Sequence, residues 1–217
     1  SLSVTPTGKT LLIWGGSTSV GSNAIQLAVA AGYEVITTAS PKNFRYVRQL
    51  GASQVFDYNS PTVTTDVIDA FRGKTLAGAL AIGSTAAETC LAIVGACQGN
   101  RFVSIATFPL TFDGLAKGSS IGLHLLRQAP TMLRFVGLIG LRSLTRRIRT
   151  NSIFGTTLMD NEVGPLIYEQ FLPEALAQGR YRAVPEPYVI GKGLAYVQAG
   201  LDQQRKGVSV QKVVISL

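Results

Sequence analysis

Cysteine and histidine are nearly absent: the 217 residues hold two cysteines, Cys90 and Cys97, and one histidine, His124. A zinc site of the usual kind draws three or four ligands mostly from these residue types. The chain cannot supply them, so no metal ligand is assigned. There is no C-x-x-C pair, and Cys90 and Cys97 read as small core residues of a helix. Long apolar runs are also missing, none reaching the ~18 residues of a membrane span. No secretory signal stands at residue 1, and Ile215-Ser216-Leu217 lacks the basic residue of a peroxisomal tail. The expected location is therefore cytoplasmic.

Acid is missing from one long stretch. Between Gly114 and Met159 there is no Asp or Glu, while Lys117, Arg127, Arg134, Arg142, Arg146, Arg147 and Arg149 contribute seven positive charges. The rest of the chain carries thirteen positive against twelve negative charges, so all but one unit of the net charge of +8 belongs to that stretch. A basic balance confined to one segment does not point to nucleic acid.

What is present in quantity is glycine, 23 residues, and apolar side chains, 46% of the chain. The most informative segment is the start. An apolar run, Leu11 to Trp14, stops at Gly15-Gly16, and helical spacing begins with Ala24, Ile25, Leu27 and Ala28. A strand, a tight glycine turn and a helix start aim backbone N–H groups and the helix N-terminus at a phosphate. Gly15 and Gly21 take the outer places of a G-x-G-x-x-G turn with one residue more between them, and Thr18 stands near the middle glycine's place. A plain strand-to-helix turn of another α/β protein fits the glycines alone.

The following segments alternate. Strands are expected at 33–40, 54–58, 77–82 and 102–106, and helices at 43–50, 63–72 and 85–96. Short alternation of this kind predicts an α/β fold, a Rossmann-type doubly wound parallel sheet with helices on both faces. Ligands of such sheets bind at the carboxyl ends of the strands. Gly15 to Val20, Ser40, Tyr58, Gly83 and Ile105 fall there.

A second absence selects the cofactor. NAD sites carry an acid about 20 residues past the glycine turn. Here Thr38-Ala39-Ser40-Pro41-Lys42-Asn43 has none, and Glu34 lies at the wrong end of its strand. Ser40 leaves room for a 2′-phosphate, and Lys42 and Arg45 offer charged contacts, which favours NADPH. The plainer alternatives are a solvated lysine at 42 and an exposed strand-end aromatic at 58.

With these residues in view, the chain resembles the medium-chain dehydrogenase/reductases. The likeness rests on Gly15-Gly16-Ser17-Thr18-Ser19-Val20-Gly21, Ala39-Ser40-Pro41-Lys42-Asn43, Leu50-Gly51-Ala52, Phe154-Gly155-Thr156-Thr157-Leu158 and Lys206-Gly207-Val208-Ser209. Within the family it is similar to the zinc-independent, quinone-oxidoreductase-like branch and its fungal trans-acting enoyl reductases. The resemblance implies a cofactor site of Gly15, Gly16, Ser17, Thr18, Ser19, Val20, Ser40, Lys42, Asn43, Tyr58, Gly83, Ile105, Phe154 and Gly155. It implies hydride transfer from NADPH to an enoyl or related carbonyl or quinone substrate. A small molecule or acyl-thioester is the implied substrate, and a polyketide synthase the implied partner. No catalytic residue is identified.

Two departures from the family are visible. Members begin with a catalytic domain ahead of the glycine turn, which this sequence does not contain. The expected organisation is a dinucleotide-binding domain at 1–179 and, at 180–217, a remnant of the catalytic domain. Such a chain binds cofactor without turnover, and a non-catalytic NADP(H) sensor is the alternative reading. Second, residues 116–150 stand where a short loop is expected. Arg127, Arg134, Arg142 and Arg149 fall within about 80° at 100° per residue, a basic stripe facing an anionic partner or, through 121–149, a membrane. Pro130, Gly137 and Gly140 weaken helix continuity there, so an irregular insertion with solvated arginines is the plainer reading. A strand near Ile153 to Leu158 is expected, paired between subunits or left unpaired. Tyr188 and Lys192 match the Tyr-x-x-x-Lys spacing of short-chain dehydrogenases, but Pro185, Pro187 and Gly191 argue against the helix that pair needs.

Overall fold

Alternating side chains along buried parallel strands must feed two cores, one on each face of the sheet. The computed structural model describes residues 5–109, 120–158 and 161–217; Gly114, Lys117 and Met159 of the acid-free stretch lie outside them. Six strands, β1 (Lys9–Trp14), β2 (Glu34–Ala39), β3 (Gln54–Asp57), β4 (Thr75–Ala81), β5 (Phe102–Ile105) and β6 (Arg149–Ser152), form one parallel sheet in the order β3-β2-β1-β4-β5-β6. Helices α1 (Ser19–Ala30), α2 (Phe44–Gln49), α3 (Val63–Ala70), α4 (Ala86–Ala96) and α5 (Ile121–Arg146) make the crossovers. Ile13, Val35 and Val55 meet Ile25, Ala28 and Val47 of α1 and α2 on one face. Leu12, Ile36, Leu76 and Val103 meet Val67, Leu91, Val94 and Phe135 of α3, α4 and α5 on the other. The doubly wound sheet anticipated from the alternation is the fold observed.

Two local expectations are corrected. α5 runs through Pro130, Gly137 and Gly140 as one helix of 26 residues. Phe135 is 5% exposed and Ile139 packs with it on the α3–α4 core, and this packing outweighs the low helix propensity. Pro130 faces outward, and nothing approaches the missing Cβ positions of Gly137 and Gly140. The last strand of the sheet is β6, four residues earlier than the apolar Ile153 to Leu158 stretch, where a 3-10 turn forms at Gly155–Leu158. β6 reads Arg-Thr-Asn-Ser and pairs within the chain on β5, so it carries no apolar signal to be found.

Beyond β6, α6 (Val163–Pro165), a π turn at Leu166–Phe171 and α7 (Leu172–Ala177) lead to a second sheet of β7 (Glu186–Lys192) and β8 (Gln211–Ser216), with α8 (Val197–Lys206) between them. Tyr188 and Lys192 are both on β7, an extended strand, and share no helical face. The segment before β7 is fastened to α1. The Tyr181 hydroxyl donates to Asn23 Oδ1 at 2.6 Å, and the Arg182 amide donates to Gln26 Oε1 at 2.8 Å. Burial pushes the Tyr181 phenol up to about 12.

Glu34 lies at the amino end of β2, opposite Thr10. Burial opposes its ionisation, but Lys74 Nζ at 2.8 Å and the Thr10 and Ser53 hydroxyls outweigh that and hold the carboxyl below its usual range. A carboxyl with a depressed folded pKa binds fewer protons than in the unfolded chain, so its contribution is full above the ordinary carboxylate range and disappears as pH falls through the folded value. Glu34→Gln therefore lowers the melting temperature at pH 7, and the difference closes as melts are repeated toward pH 3. Phe135→Ala empties the only buried site of α5 and costs about 3–5 kcal/mol in urea unfolding.

Candidate cofactor site

The strand registers set the site. Trp14 stands beside Ala81, Ala81 beside Ile105 and Ile105 beside Ser152, with Ala39 beside Asp57 on the other wing. The carboxyl ends thus form one edge. The crossovers lead left from β1 to β2 and β3 and right to β4, β5 and β6, so a crevice opens between β1 and β4. Gly15 follows β1 at this switch point.

The glycine turn is held by β2. The Gly15 amide donates to Thr38 Oγ1 at 3.0 Å and the Gly16 amide to the Thr38 carbonyl at 2.9 Å. Gly15 has φ +89°, which favours glycine. A Cβ on Gly16 would strike Thr37 Oγ1, and one on Gly21 would strike the Gly15 carbonyl, because α1 starts almost against the turn. Thr18 caps α1: its hydroxyl donates to the Gly15 carbonyl at 2.8 Å and accepts from the Gly21 amide at 3.0 Å. The amides of Ser19 and Val20 precede the first intrahelical bond, that of the Ser22 amide to the Thr18 carbonyl, and a helix start of this kind suits an anion. Val20 is exposed, an apolar side chain at the rim. Beneath the turn Ser22 donates to the Gly16 carbonyl at 3.2 Å and receives the Tyr46 hydroxyl at 2.9 Å. Burial raises the Tyr46 phenol.

On the left wing, Ser40, Lys42 and Asn43 form a 3-10 turn. The Asn43 side-chain amide Nδ2 donates to Ser40 Oγ and to Ser209 Oγ, both at 3.1 Å. Ser209 comes from the loop before β8, 166 residues later, and closes this corner. Lys42 is exposed and makes no ion pair among the described residues. Tyr58 is exposed past the end of β3. No acid occurs from Thr38 to Asn43, and Glu34 is engaged at the opposite edge.

On the right wing, Gly83 (φ +126°) follows β4 and its amide donates to Thr107 Oγ1 at 3.2 Å. Ile105 differs from the rest. Its side chain is buried in the core and its carbonyl accepts the Ile153 amide, so it forms a floor rather than an exposed contact. Phe154 is 62% exposed and lies 6.2 Å from the Phe108 ring, which packs edge-on against Phe135 of α5. Gly155 leaves open space beside it. The structure brings all the sequence-derived positions to one edge. It adds Thr38, Ser22, Tyr46, Thr107 and Ser209. Thr38 was visible as the polar end of a strand, whereas Ser209 had only its motif and no sequence signal for its place.

Residues 19–136 match the family described as zinc-binding dehydrogenase. Dehydrogenase pigH of Monascus ruber is 47% identical over 212 residues, covering 98% of this chain and 56% of that protein. Trans-enoyl reductase himH of Aspergillus japonicus is 38% identical over 218 residues, covering 100% of this chain and 55% of that protein. The chain thus spans about half the length of the curated relatives it matches. Among solved structures, CurA from Vibrio vulnificus in complex with NADPH superposes with a TM-score of 0.64 at 15% identity, over 97% of this chain and 57% of that one. A quinone oxidoreductase of Pseudomonas syringae pv. Tomato DC3000 gives 0.66 at 18% identity, over 99% and 58%. At such identities the structures speak for the fold.

The described residues bring no zinc donor set together. Among the described residues no three His, Cys, Asp or Glu side chains cluster to hold a metal. Cys90 and Cys97 are buried, which pushes both thiols up, Cys97 to about 11, and away from the thiolate a metal needs. A dinucleotide does fit: a cradle that a Cβ would fill, helix-start amides outside the intrahelical ladder and a second-strand end that carries no acid of its own. Gly21→Ala drives α1 off the turn, and overpacking of this kind costs about 1–3 kcal/mol. Urea unfolding measures the loss, and the same variant is expected to bind nucleotide more weakly in calorimetry.

Proposed function

Because the chain belongs to the zinc-binding dehydrogenase family, in the zinc-independent branch of quinone oxidoreductases and fungal trans-enoyl reductases, we propose that it is the NADPH-binding part of an oxidoreductase. The reaction is hydride transfer to an enoyl or related carbonyl or quinone substrate. The observation that carries the proposal is the carboxyl edge: a glycine turn at the switch point, and a Ser40–Lys42 turn at the end of β2 that carries no acid of its own to hold a free ribose 2′-hydroxyl.

Each residue then has a task. Gly15, Gly16 and Ser17 and the start of α1 at Thr18, Ser19 and Val20 hold the pyrophosphate through backbone amides. Ser40 and Lys42 take the 2′-phosphate, Lys42 as a charge with no ion partner of its own. Asn43, locked to Ser209, fixes the shape of that corner, and Tyr58 covers the adenosine. Gly83 and Phe154–Gly155, above the floor of Ile105, border the nicotinamide. When bound, the nicotinamide supplies the hydride, and the chain's residues fix its position at the edge. The segment from about residue 180 belongs to a second, substrate-bearing domain, which orients an enoyl thioester or quinone. A polyketide synthase is the proposed source of the thioester.

Trp14 is buried one residue before Gly15 and reports binding by fluorescence. Titration is expected to show preference for NADPH over NADH. Lys42→Ala is expected to weaken NADPH by about tenfold to a hundredfold, the span of a lost charge-assisted hydrogen bond, and to leave NADH nearly unchanged. Binding of neither nucleotide overturns the reading. Sustained NADPH oxidation by the full-length protein with an enone or quinone separates a reductase from a non-catalytic sensor.

A further inference from the structure

α5 presents two unlike faces. Inward, Phe135 is buried, Ile139 packs with it, and Arg142 Nη1 donates to the Glu88 carbonyl of α4 at 2.7 Å. The arginine stripe is therefore split: Arg142 is spent on α4, Arg149 lies on β6 over the Phe102 ring, and Arg127 and Arg134 remain exposed. Outward, at 100° per residue, Leu123, Leu126, Leu133, Leu141 and Leu144 fall within about 80° of one another. They are 52%, 69%, 73%, 60% and 81% exposed. Arg127 and Arg134 border this band on one side, and neither makes an ion pair among the described residues.

We propose that the outward face of α5 docks on an anionic lipid surface, lying in the interface with its leucines in the acyl boundary and Arg127 and Arg134 at the headgroups. The helix of 26 residues is about 39 Å long, yet no helix among the described residues is apolar enough to cross a membrane. An apolar band, an arginine border and no acid from Gly114 to Met159 are the pattern of a helix that lies on a bilayer. Charge selects this occupant over a second copy, because α5 brings no carboxylate to meet the arginines of its twin.

The test is co-sedimentation of the full-length protein with vesicles of phosphatidylcholine alone and with about 30 mol% phosphatidylserine. Binding only to the anionic vesicles is expected, weakened about tenfold or more by L126Q/L133Q, by R127Q/R134Q and by high salt. Circular dichroism melts of both variants check that the fold is intact, since all four side chains are exposed. Four results overturn the proposal: no sedimentation, as when the rest of the polypeptide covers α5; equal binding to neutral vesicles; binding that survives the leucine changes; or a homodimer that L126Q/L133Q dissociates.

Discussion

The amides of Gly15 and Gly16 are tied to the side chain and the carbonyl of Thr38. This pair of bonds fixes where β1 ends relative to β2, and the rest of the edge follows. With the turn held down, Thr18 can cap α1 almost on top of it, and the helix starts so close that positions 16 and 21 have no room for a side chain. The amides of Ser19 and Val20 are left outside the intrahelical ladder, which begins with Ser22. Ser22 and Tyr46 complete the same arrangement from below, where partial burial raises the tyrosine phenol.

Charge is distributed with the same economy. At the amino edge Glu34 has three partners and serves the fold. At the carboxyl edge the Thr38 to Asn43 segment has hydroxyls, an amide and an exposed lysine and no acid of its own, the nearest in register being Asp57 at the end of β3. A sheet of this type places its ligands only at the carboxyl ends, so an acid at the start of β2 and an acid at its end have unrelated consequences. The aromatic contacts Phe135–Phe108–Phe154 run from the buried point of α5 to the ring proposed to border the nicotinamide.

The most legible elements were those whose signal is local. The apolar run before Gly15-Gly16, the β-branched second strand and the helical spacing of α3 and α4 each carried their own periodicity. The edge strand β6 did not, because an edge strand with solvent on one flank needs no apolar residue. α5 was obscured for the opposite reason: proline and glycine lower intrinsic propensity, and only contact with α4 restores the balance. The basic stripe expected from helical angle holds only for a free helix, and the bond from Arg142 to the Glu88 carbonyl divides it.

The sequence by itself determined the fold class, the place of the glycine turn and the missing acid after β2. These depend on neighbours within a few residues, through periodicity, φ preference and charge. Only the tertiary structure decided that Ser209 closes the corner at Asn43, that Ile105 is a floor and not a contact, and that α5 turns its leucines outward. Each of those is a contact between segments far apart in the chain, and which side of an element is covered is settled by what packs against it, not by its own composition.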